Sequence, residues 1–157
     1  MPQYHANKMK VLSANCRGLG TKAKRDDVIT YLRDTNANIV CLQDTHLKQS
    51  MESHVRKIWN GEVYCHSISS NARGVAILLR NNFEYTISHT EKDDNGNLMI
   101  MDLNIEDLKI RLVNIYGPNA DDTDFYLYVR SKIYSSQQDH IVICGDLNLT
   151  LNPELDF

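Results

Sequence analysis

Five polar residues each follow an apolar run in this sequence: Asn15, Asp44, Tyr116, Asp146 and Asn148. Hard oxygen ligands suit Mg²⁺, which proteins usually bind through one or two carboxylates together with phosphate groups. A metal ion at such a site would neutralise the negative charge that repels a nucleophile from a phosphodiester. If the fold brings these side chains to one edge, they form a site suited to Mg²⁺ and phosphate.

The tetrapeptide Gly145-Asp146-Leu147-Asn148 carries two of these residues, directly after an apolar run at residues 141–144. We interpret that run as a buried strand. Residues two apart in an extended chain point to the same side, so Asp146 and Asn148 can act on one ligand together. The alternative is an ordinary turn, because Gly, Asp and Asn are common at strand ends.

The first third of the chain predicts a βαβ unit that positions two more of the five residues. Residues 9–15 alternate well enough for a strand, and apolar residues recur at helical spacing over residues 25–35. Residues 39–42 are a short continuous apolar run, typical of a strand buried on both faces. The unit places Asn15 and Asp44 just beyond the carboxyl ends of neighbouring strands, where ligands of α/β folds gather.

The middle of the chain predicts a short amphipathic helix at residues 51–59 and then an antiparallel meander. Strands are predicted near residues 62–68, 74–80, 85–90, 98–105 and 109–116. Asp93-Asp94-Asn95-Gly96-Asn97 has the composition of a hairpin turn. A further helix, capped by Asp122 or Thr123, returns the chain to the last strand. The whole pattern predicts an α/β fold, a mixed β-sheet with helices on one face.

Charge is distributed unevenly along the chain, although the net charge is only −3. Lys and Arg minus Asp and Glu gives 10 − 5 = +5 for residues 1–60 and 7 − 15 = −8 for residues 61–157. The basic cluster comprises Lys8, Lys10, Arg17, Lys22, Lys24 and Arg25. It could bind a DNA phosphate backbone, and a solvated surface is the alternative. The acidic part would repel DNA unless its carboxylates hold a cation.

Length and composition indicate one domain in a chain of 157 residues. We expect a flexible N-terminal tail at residues 1–8 and a single domain at residues 9–157. The longest apolar run is about half of a membrane span, so we expect no membrane partner and an intracellular protein, in the nucleus or the cytoplasm. The four cysteines are Cys16, Cys41, Cys65 and Cys144. Their wide spacing favours reduced core residues over a disulfide framework or a zinc site.

Several motifs, in order along the chain, resemble the endonuclease/exonuclease/phosphatase superfamily and within it the apurinic-type endonuclease domain of LINE (non-LTR) retrotransposons. They are Ser13-Ala14-Asn15-Cys16-Arg17-Gly18-Leu19, Cys41-Leu42-Gln43-Asp44-Thr45-His46-Leu47, Gly74-Val75-Ala76-Ile77-Leu78, Asn114-Ile115-Tyr116-Gly117-Pro118-Asn119 and Gly145-Asp146-Leu147-Asn148. The resemblance implies a divalent-metal phosphodiesterase that nicks DNA by in-line attack of water. The nick would leave the 3′ hydroxyl that LINE elements use to prime reverse transcription.

The resemblance also implies a role for each of the five residues. Asp44 would bind Mg²⁺, or Mn²⁺ in its place, and Asn15 would help to shape the metal site. Asp146 would orient or deprotonate the attacking water, and Asn148 would position the water or the phosphate. Tyr116 would donate a hydrogen bond to a phosphate oxygen. Each also has a structural interpretation, such as a turn former for Asn15, an interface aromatic for Tyr116 and a cap for Asn148.

Two departures from the family pattern bear on activity. Asp44 stands where the family has Glu. The shorter Asp side chain retracts the carboxylate by roughly 1.5 Å, so we expect weaker metal binding rather than none. The family also continues well beyond the equivalent of Phe157, with a further Asp and a Ser-Asp-His motif. We therefore expect about half to two-thirds of the four-layer α/β/β/α sandwich, and weak or lost activity. For His46 we favour a structural role.

Two further expectations follow from an incomplete sandwich. A sheet face left bare would expose a large apolar patch, so we expect a homodimer in which a second copy covers it. The competing functional hypothesis is a non-catalytic, retroelement-derived protein that binds nucleic acid or a protein partner, or simply dimerises. Asp44 and the missing motif favour that hypothesis, whereas the presence of Asn15, Tyr116, Asp146 and Asn148 favours the nuclease.

Overall fold

The computed structural model describes residues 8–68 and 72–150. The strands in these ranges are β1 (Val11–Asn15), β2 (Ile39–Gln43), β3 (Gly61–His66), β4 (Val75–Arg80), β5 (Thr86–Lys92), β6 (Leu98–Ile105), β7 (Leu108–Tyr116) and β8 (His140–Asp146). The helices are α1 (Lys22–Asp34), α2 (Glu52–Trp59) and α3 (Thr123–Tyr134). None of these helices is long and apolar enough to cross a membrane. The predicted tail at residues 1–8, apart from Lys8, and residues 151–157 of the predicted domain lie outside the described residues.

The strands form two four-stranded sheets, each with a parallel pair at one edge. The first sheet has the order β1-β2-β4-β3, and the second has the order β5-β6-β7-β8. β1 and β2 are parallel and joined by α1, which confirms the predicted βαβ unit. β7 and β8 are parallel and joined by α3, whose first turn is capped by the Asp122 carboxylate accepting from the Phe125 N–H at 2.9 Å.

The two sheets pack face to face, with the helices on the outside. Side chains such as Cys41 and Ile77 of the first sheet meet Met99, Met101 and Leu112 of the second sheet in one buried core. Helices α1 and α2 cover the outer face of the first sheet, and α3 covers that of the second. The predicted α/β fold with mixed sheets is confirmed as a partial α/β/β/α sandwich.

The second sheet consists of β5, β6 and β7 of the predicted meander together with β8, whereas β3 and β4 belong to the first sheet. The second sheet therefore covers, within the same chain, the sheet face that prompted the dimer prediction. That reason for a dimer no longer holds, and dimerisation itself stays a prediction.

The prediction of a buried last strand was wrong, because one side of β8 is exposed. Val142 and Cys144 face the first sheet, whereas Ile141 and Ile143 point outward and are 39% and 53% exposed. On that outer face, α3 packs on residues of β6 and β7 and does not cover β8. A continuous apolar run predicts a strand, but it does not show how many neighbours the strand has.

All four cysteines lie in the core as free thiols, as predicted. Burial raises the pKa of the Cys16 thiol and of the Cys65 thiol to about 12. Both thiols are therefore protonated and weakly nucleophilic at neutral pH, because the thiolate is the reactive form.

A buried pair of amides joins the two sheets directly below the carboxyl ends of β2 and β7. Gln43 Nε2 donates to Asn114 Oδ1 at 2.8 Å, and both side chains are inaccessible or nearly so. Asn114 Nδ2 in turn donates to the carbonyls of Leu42 at 3.1 Å and Ala76 at 2.9 Å. Since buried amides need their hydrogen bonds, this pair fixes how the two sheets align at that end of the sandwich.

Replacing Asn114 with alanine is expected to lower the free energy of unfolding by about 2–4 kcal/mol, because buried hydrogen-bonding partners are left unpaired. Urea unfolding followed by circular dichroism measures the change. Asn104→Ala is the matched control, because the Asn104 amide makes an exposed hydrogen bond to Thr86 at 3.3 Å. We expect the control to lose about 1 kcal/mol or less. Equal losses in the two variants would contradict a special role for the buried pair.

Candidate functional site

The carboxyl ends of β1, β2, β7 and β8 meet at one edge of the sandwich, which we call the rim. Asn15 ends β1 in the first sheet, and Asp146 ends β8 in the second sheet. Asn15 Nδ2 donates to Asp146 Oδ2 at 2.7 Å, which links residues 131 positions apart in sequence. The two sheets therefore share a single polar rim, and two of the five candidate residues touch there.

The segment after β8 is held against the segment after β7. The Asn148 N–H donates to Asp146 Oδ1 at 3.0 Å, so both carboxylate oxygens of Asp146 accept a hydrogen bond. Asn148 Nδ2 donates to the Gly117 carbonyl at 2.6 Å, and the Gly117 N–H donates to the Asp146 carbonyl at 2.7 Å. Gly145 and Asp146 are the last residues of β8, and these hydrogen bonds hold the Asp146 and Asn148 side chains in place on the rim.

Asp44 lies in the turn after β2, which pairs with the loop after β1 through the Gly18 N–H and the Asp44 carbonyl at 2.7 Å. Asp44 and His46 have φ angles of 49° and 54°, a left-handed conformation that costs energy for residues other than glycine. His46 Nε2 lies 2.8 Å from Asp44 Oδ1. His46 therefore orients one carboxylate oxygen of Asp44, which agrees with the structural role that we expect for it.

The Tyr116 phenol lies among the other candidate side chains. Burial and, next in size, the negative charge of Asp44 raise its pKa. Asp146 also raises the pKa, whereas a hydrogen bond with Asn148 and the positive charge of Arg73 lower it. The net shift is upward, so the phenol stays protonated at neutral pH and can donate a hydrogen bond.

All five predicted residues therefore come together at the rim, although their catalytic and metal-binding roles stay predictions. Sequence reasoning missed Arg73, which precedes β4, and gave no role to Gln43 or Asn114 inside the motifs. Arg73 had one usable signal: β4 is antiparallel to β2, so the two residues before β4, Arg73 and Gly74, lie at the same rim as Asp44.

Part of the predicted basic cluster is turned toward the loop after β1. Lys24 Nζ donates to the carbonyls of Cys16 at 2.9 Å and Arg17 at 2.8 Å. Lys22 pairs with Asp26 at 2.6 Å. The Arg17 backbone N–H donates to Asn15 Oδ1 at 3.0 Å, so Arg17 lies directly beside the rim. Positive charge thus borders the side of the rim formed by β1.

Gly117 is needed for the close contact between the two rim segments. A Cβ at this position would overlap the Leu147 carbonyl oxygen, to which the Tyr126 hydroxyl also donates a hydrogen bond. Since backbone atoms form the obstacle, a side chain here would push the segment carrying Asn148 away from the segment carrying Tyr116.

Gly117→Ala is therefore expected to lower the free energy of unfolding by about 1–3 kcal/mol through overpacking. Gly20→Ala is the matched control, because a Cβ at Gly20 meets nothing within 4 Å. We expect the control to stay within about 0.5 kcal/mol of the unchanged chain. Thermal unfolding by differential scanning calorimetry measures both variants. Gly117→Ala melting like the control would refute the tight fit of the two segments.

The rim offers the hard oxygen ligands that suit Mg²⁺, namely the carboxylates of Asp44 and Asp146 and the amide oxygen of Asn15. Across the described residues, no group of three or more His, Cys, Asp and Glu side chains could hold a metal ion. The carboxylate and amide oxygens are donors of the kind that Mg²⁺ uses, since it usually binds proteins through one or two carboxylates and keeps water and phosphate oxygens as its other ligands.

Two face-to-face mixed sheets with outer helices and a shared polar rim define an α/β sandwich with a site at the strand ends. The family model described as "Endonuclease/Exonuclease/phosphatase family" matches residues 12–154. The chain belongs to this family, which confirms the resemblance found in the motifs.

The chain is also similar to individual proteins and solved structures. An exodeoxyribonuclease of Bacillus subtilis (strain 168) is 24% identical over 166 residues, covering 94% of this chain and 61% of that protein. The structure of D. rerio TDP2 complexed with single strand DNA product has a TM-score of 0.70 and 20% identity, covering 92% of this chain and 62% of that one. The endonuclease domain of TRAS1, a telomere-specific non-LTR retrotransposon, has a TM-score of 0.60 and 13% identity. The match covers 91% of this chain and 60% of that domain's chain. The chain thus spans about three fifths of each.

Proposed function

We propose that this chain is a divalent-metal-dependent phosphodiesterase of the LINE retrotransposon endonuclease type, which nicks one strand of DNA. The observation that carries the proposal is the 2.7 Å hydrogen bond from Asn15 to Asp146 across the two sheets. It brings a carboxylate that could act on water to the same rim as Asp44 and Tyr116.

In the proposed reaction, Asp146 orients the attacking water and accepts its proton. Its oxygens each accept one hydrogen bond, from Asn15 and from the Asn148 N–H, and each keeps a lone pair for the water. The attack on phosphorus breaks the P–O3′ bond, and the leaving 3′ oxygen takes a proton from solvent, so the products are a 3′ hydroxyl and a 5′ phosphate. Tyr116 donates a hydrogen bond to a nonbridging oxygen, because its raised pKa keeps the phenol protonated.

Asp44 would hold the metal ion, with Asn15 shaping the same site. A bound Mg²⁺ supplies Lewis-acid stabilisation of the negative charge on the phosphate. The contact with His46 Nε2 involves one oxygen of the Asp44 carboxylate, Oδ1, at 2.8 Å. The carboxylate is therefore held in one orientation before a ligand binds, which lowers the cost of binding.

DNA is the proposed substrate on three grounds. The basic residues beside the loop after β1 could contact a phosphate backbone. One structural relative is complexed with single strand DNA product, and another is the endonuclease domain of a non-LTR retrotransposon. The LINE type is proposed because of the Gln-Asp-Thr-His-Leu and Tyr-Gly-Pro-Asn motifs.

The direct test is nicking of supercoiled plasmid by the purified chain with Mg²⁺, with Mn²⁺ and with EDTA. We expect conversion to open circles with either metal ion and none with EDTA. The nicked product should then prime extension by a DNA polymerase, because the proposed cleavage leaves a 3′ hydroxyl. Absence of metal-dependent nicking at high enzyme concentration would refute the proposal and favour a non-catalytic, nucleic-acid-binding protein.

A further inference from the structure

We propose that Arg73 binds a nonbridging oxygen of the substrate phosphodiester, beside Tyr116. This inference rests on the proposed function and adds a phosphate-binding residue to it. The ligand class is a phosphodiester monoanion in a nucleic-acid strand.

The backbone at Arg73 is fixed to the turn that carries Asp44. The His46 N–H donates to the Arg73 carbonyl at 2.9 Å, and the Thr45 N–H donates to the Gly74 carbonyl at 3.0 Å. Arg73 itself has a φ angle of 64°, a left-handed conformation that an arginine adopts only where its surroundings hold it. The residue is thus positioned by the same turn as the predicted metal ligand.

The Arg73 side chain makes one hydrogen bond to another side chain within the described part of the chain. Its Nη1 lies 3.4 Å from Asn97 Oδ1, and the buried Asn97 amide donates to the Tyr116 carbonyl. Within residues 8–68 and 72–150, no carboxylate lies within ion-pair distance of the Arg73 guanidinium. A guanidinium has five N–H donors, so most of them are available to a ligand.

The negative charge of the rim would repel a phosphodiester, and Arg73 offsets part of that charge. Asp44 and Asp146 act on the Tyr116 phenol as negative charges, whereas Arg73 acts on it as a positive charge. Two carboxylates alone would repel a phosphodiester, and a metal ion offsets only part of that repulsion. Guanidinium matches the geometry of phosphate oxygens and binds them through paired hydrogen bonds. Arg73 therefore supplies a cation at the rim, close enough to act on Tyr116.

The catalytic test compares Arg73→Gln, Arg73→Lys and the control Arg130→Gln in single-turnover plasmid nicking. Arg130 is an exposed arginine on the far part of α3, where it stacks on Tyr134, so its loss removes the same charge away from the rim. We expect a rate loss of about 100-fold for Arg73→Gln, partial recovery for Arg73→Lys and less than a twofold change for the control. Equal rates for Arg73→Gln and Arg130→Gln would overturn the assignment.

A binding measurement separates this inference from the proposed function. The probe is a fluorescein-labelled DNA oligonucleotide, and its affinity is measured by anisotropy in EDTA at several salt concentrations. Loss of one phosphate contact should reduce the slope of log K against log[salt] by about 0.7–0.9 in Arg73→Gln, with no change in Arg130→Gln. If the unchanged chain does not nick, the nuclease proposal fails, and the slope still decides the role of Arg73. An unchanged slope, or no binding at all, overturns the inference.

Discussion

Replacing Asp146 with asparagine is expected to lower the nicking rate by about 10³-fold, the usual scale for removing a positioned general base. Asparagine keeps the size of the side chain, and its single amide oxygen can accept the hydrogen bond from Asn15 or the one from the Asn148 N–H. We expect the rim to remain folded with one hydrogen bond fewer. Asparagine cannot take a proton from water at neutral pH. The loss should therefore appear in the chemical step, and we expect DNA affinity in EDTA to change by less than about threefold.

Asp139→Asn is the control for this prediction. Asp139 is an exposed carboxylate immediately before β8, at the opposite end of the strand from Asp146. Each variant removes one negative charge at one end of β8, and only Asp146→Asn alters the rim. If Asp146→Asn nicks as fast as Asp139→Asn, the activity comes from a contaminant or from another site. Circular dichroism of both variants separates loss of chemistry from loss of folding.

The rim could be predicted from sequence because it obeys a local rule. Asn15, Asp44, Tyr116 and Asp146 each lie at the end of a strand, and strand ends are visible as the boundary of an apolar run. Parallel pairing then brings those ends to one edge of the fold. The βαβ unit and the hairpins were predicted by the same means, with boundaries that differ from the structure by a few residues.

Contacts between distant residues could not be predicted in this way. Gln43 and Asn114 are 71 positions apart, and their pairing depends on how two separate sheets align. Arg73 contacts Asn97, which lies 24 positions away. The exposure of Ile143 depends on the cover that α3 provides. Each of these features is set by packing between elements, which hydrophobic periodicity within one element does not encode.

The second large effect is expected at Asp44, where a substitution should change how the nicking rate depends on the Mg²⁺ concentration. Asp44→Asn removes the charge that would hold Mg²⁺, so the Mg²⁺ concentration for half-maximal nicking should rise by about 100-fold, near the upper end for lost metal-site interactions. Asp107→Asn is the control, because Asp107 is an exposed carboxylate in the hairpin between β6 and β7, at the far end of the sandwich. The control should keep the original Mg²⁺ dependence.

Asp44→Glu tests the same idea in the opposite direction. The added methylene carries the carboxylate roughly 1.5 Å further out, which is the reach that the family resemblance implies for this ligand. If Asp44 is a short metal ligand, Glu should bind Mg²⁺ more tightly and nick faster. Thermal unfolding gives a readout independent of activity, because saturating Mg²⁺ at about 100 times its dissociation constant stabilises the folded state by about 2.7 kcal/mol. A Mg²⁺-induced stabilisation that is the same in Asp44→Asn, Asp44→Glu and the unchanged chain would show that the ion binds elsewhere.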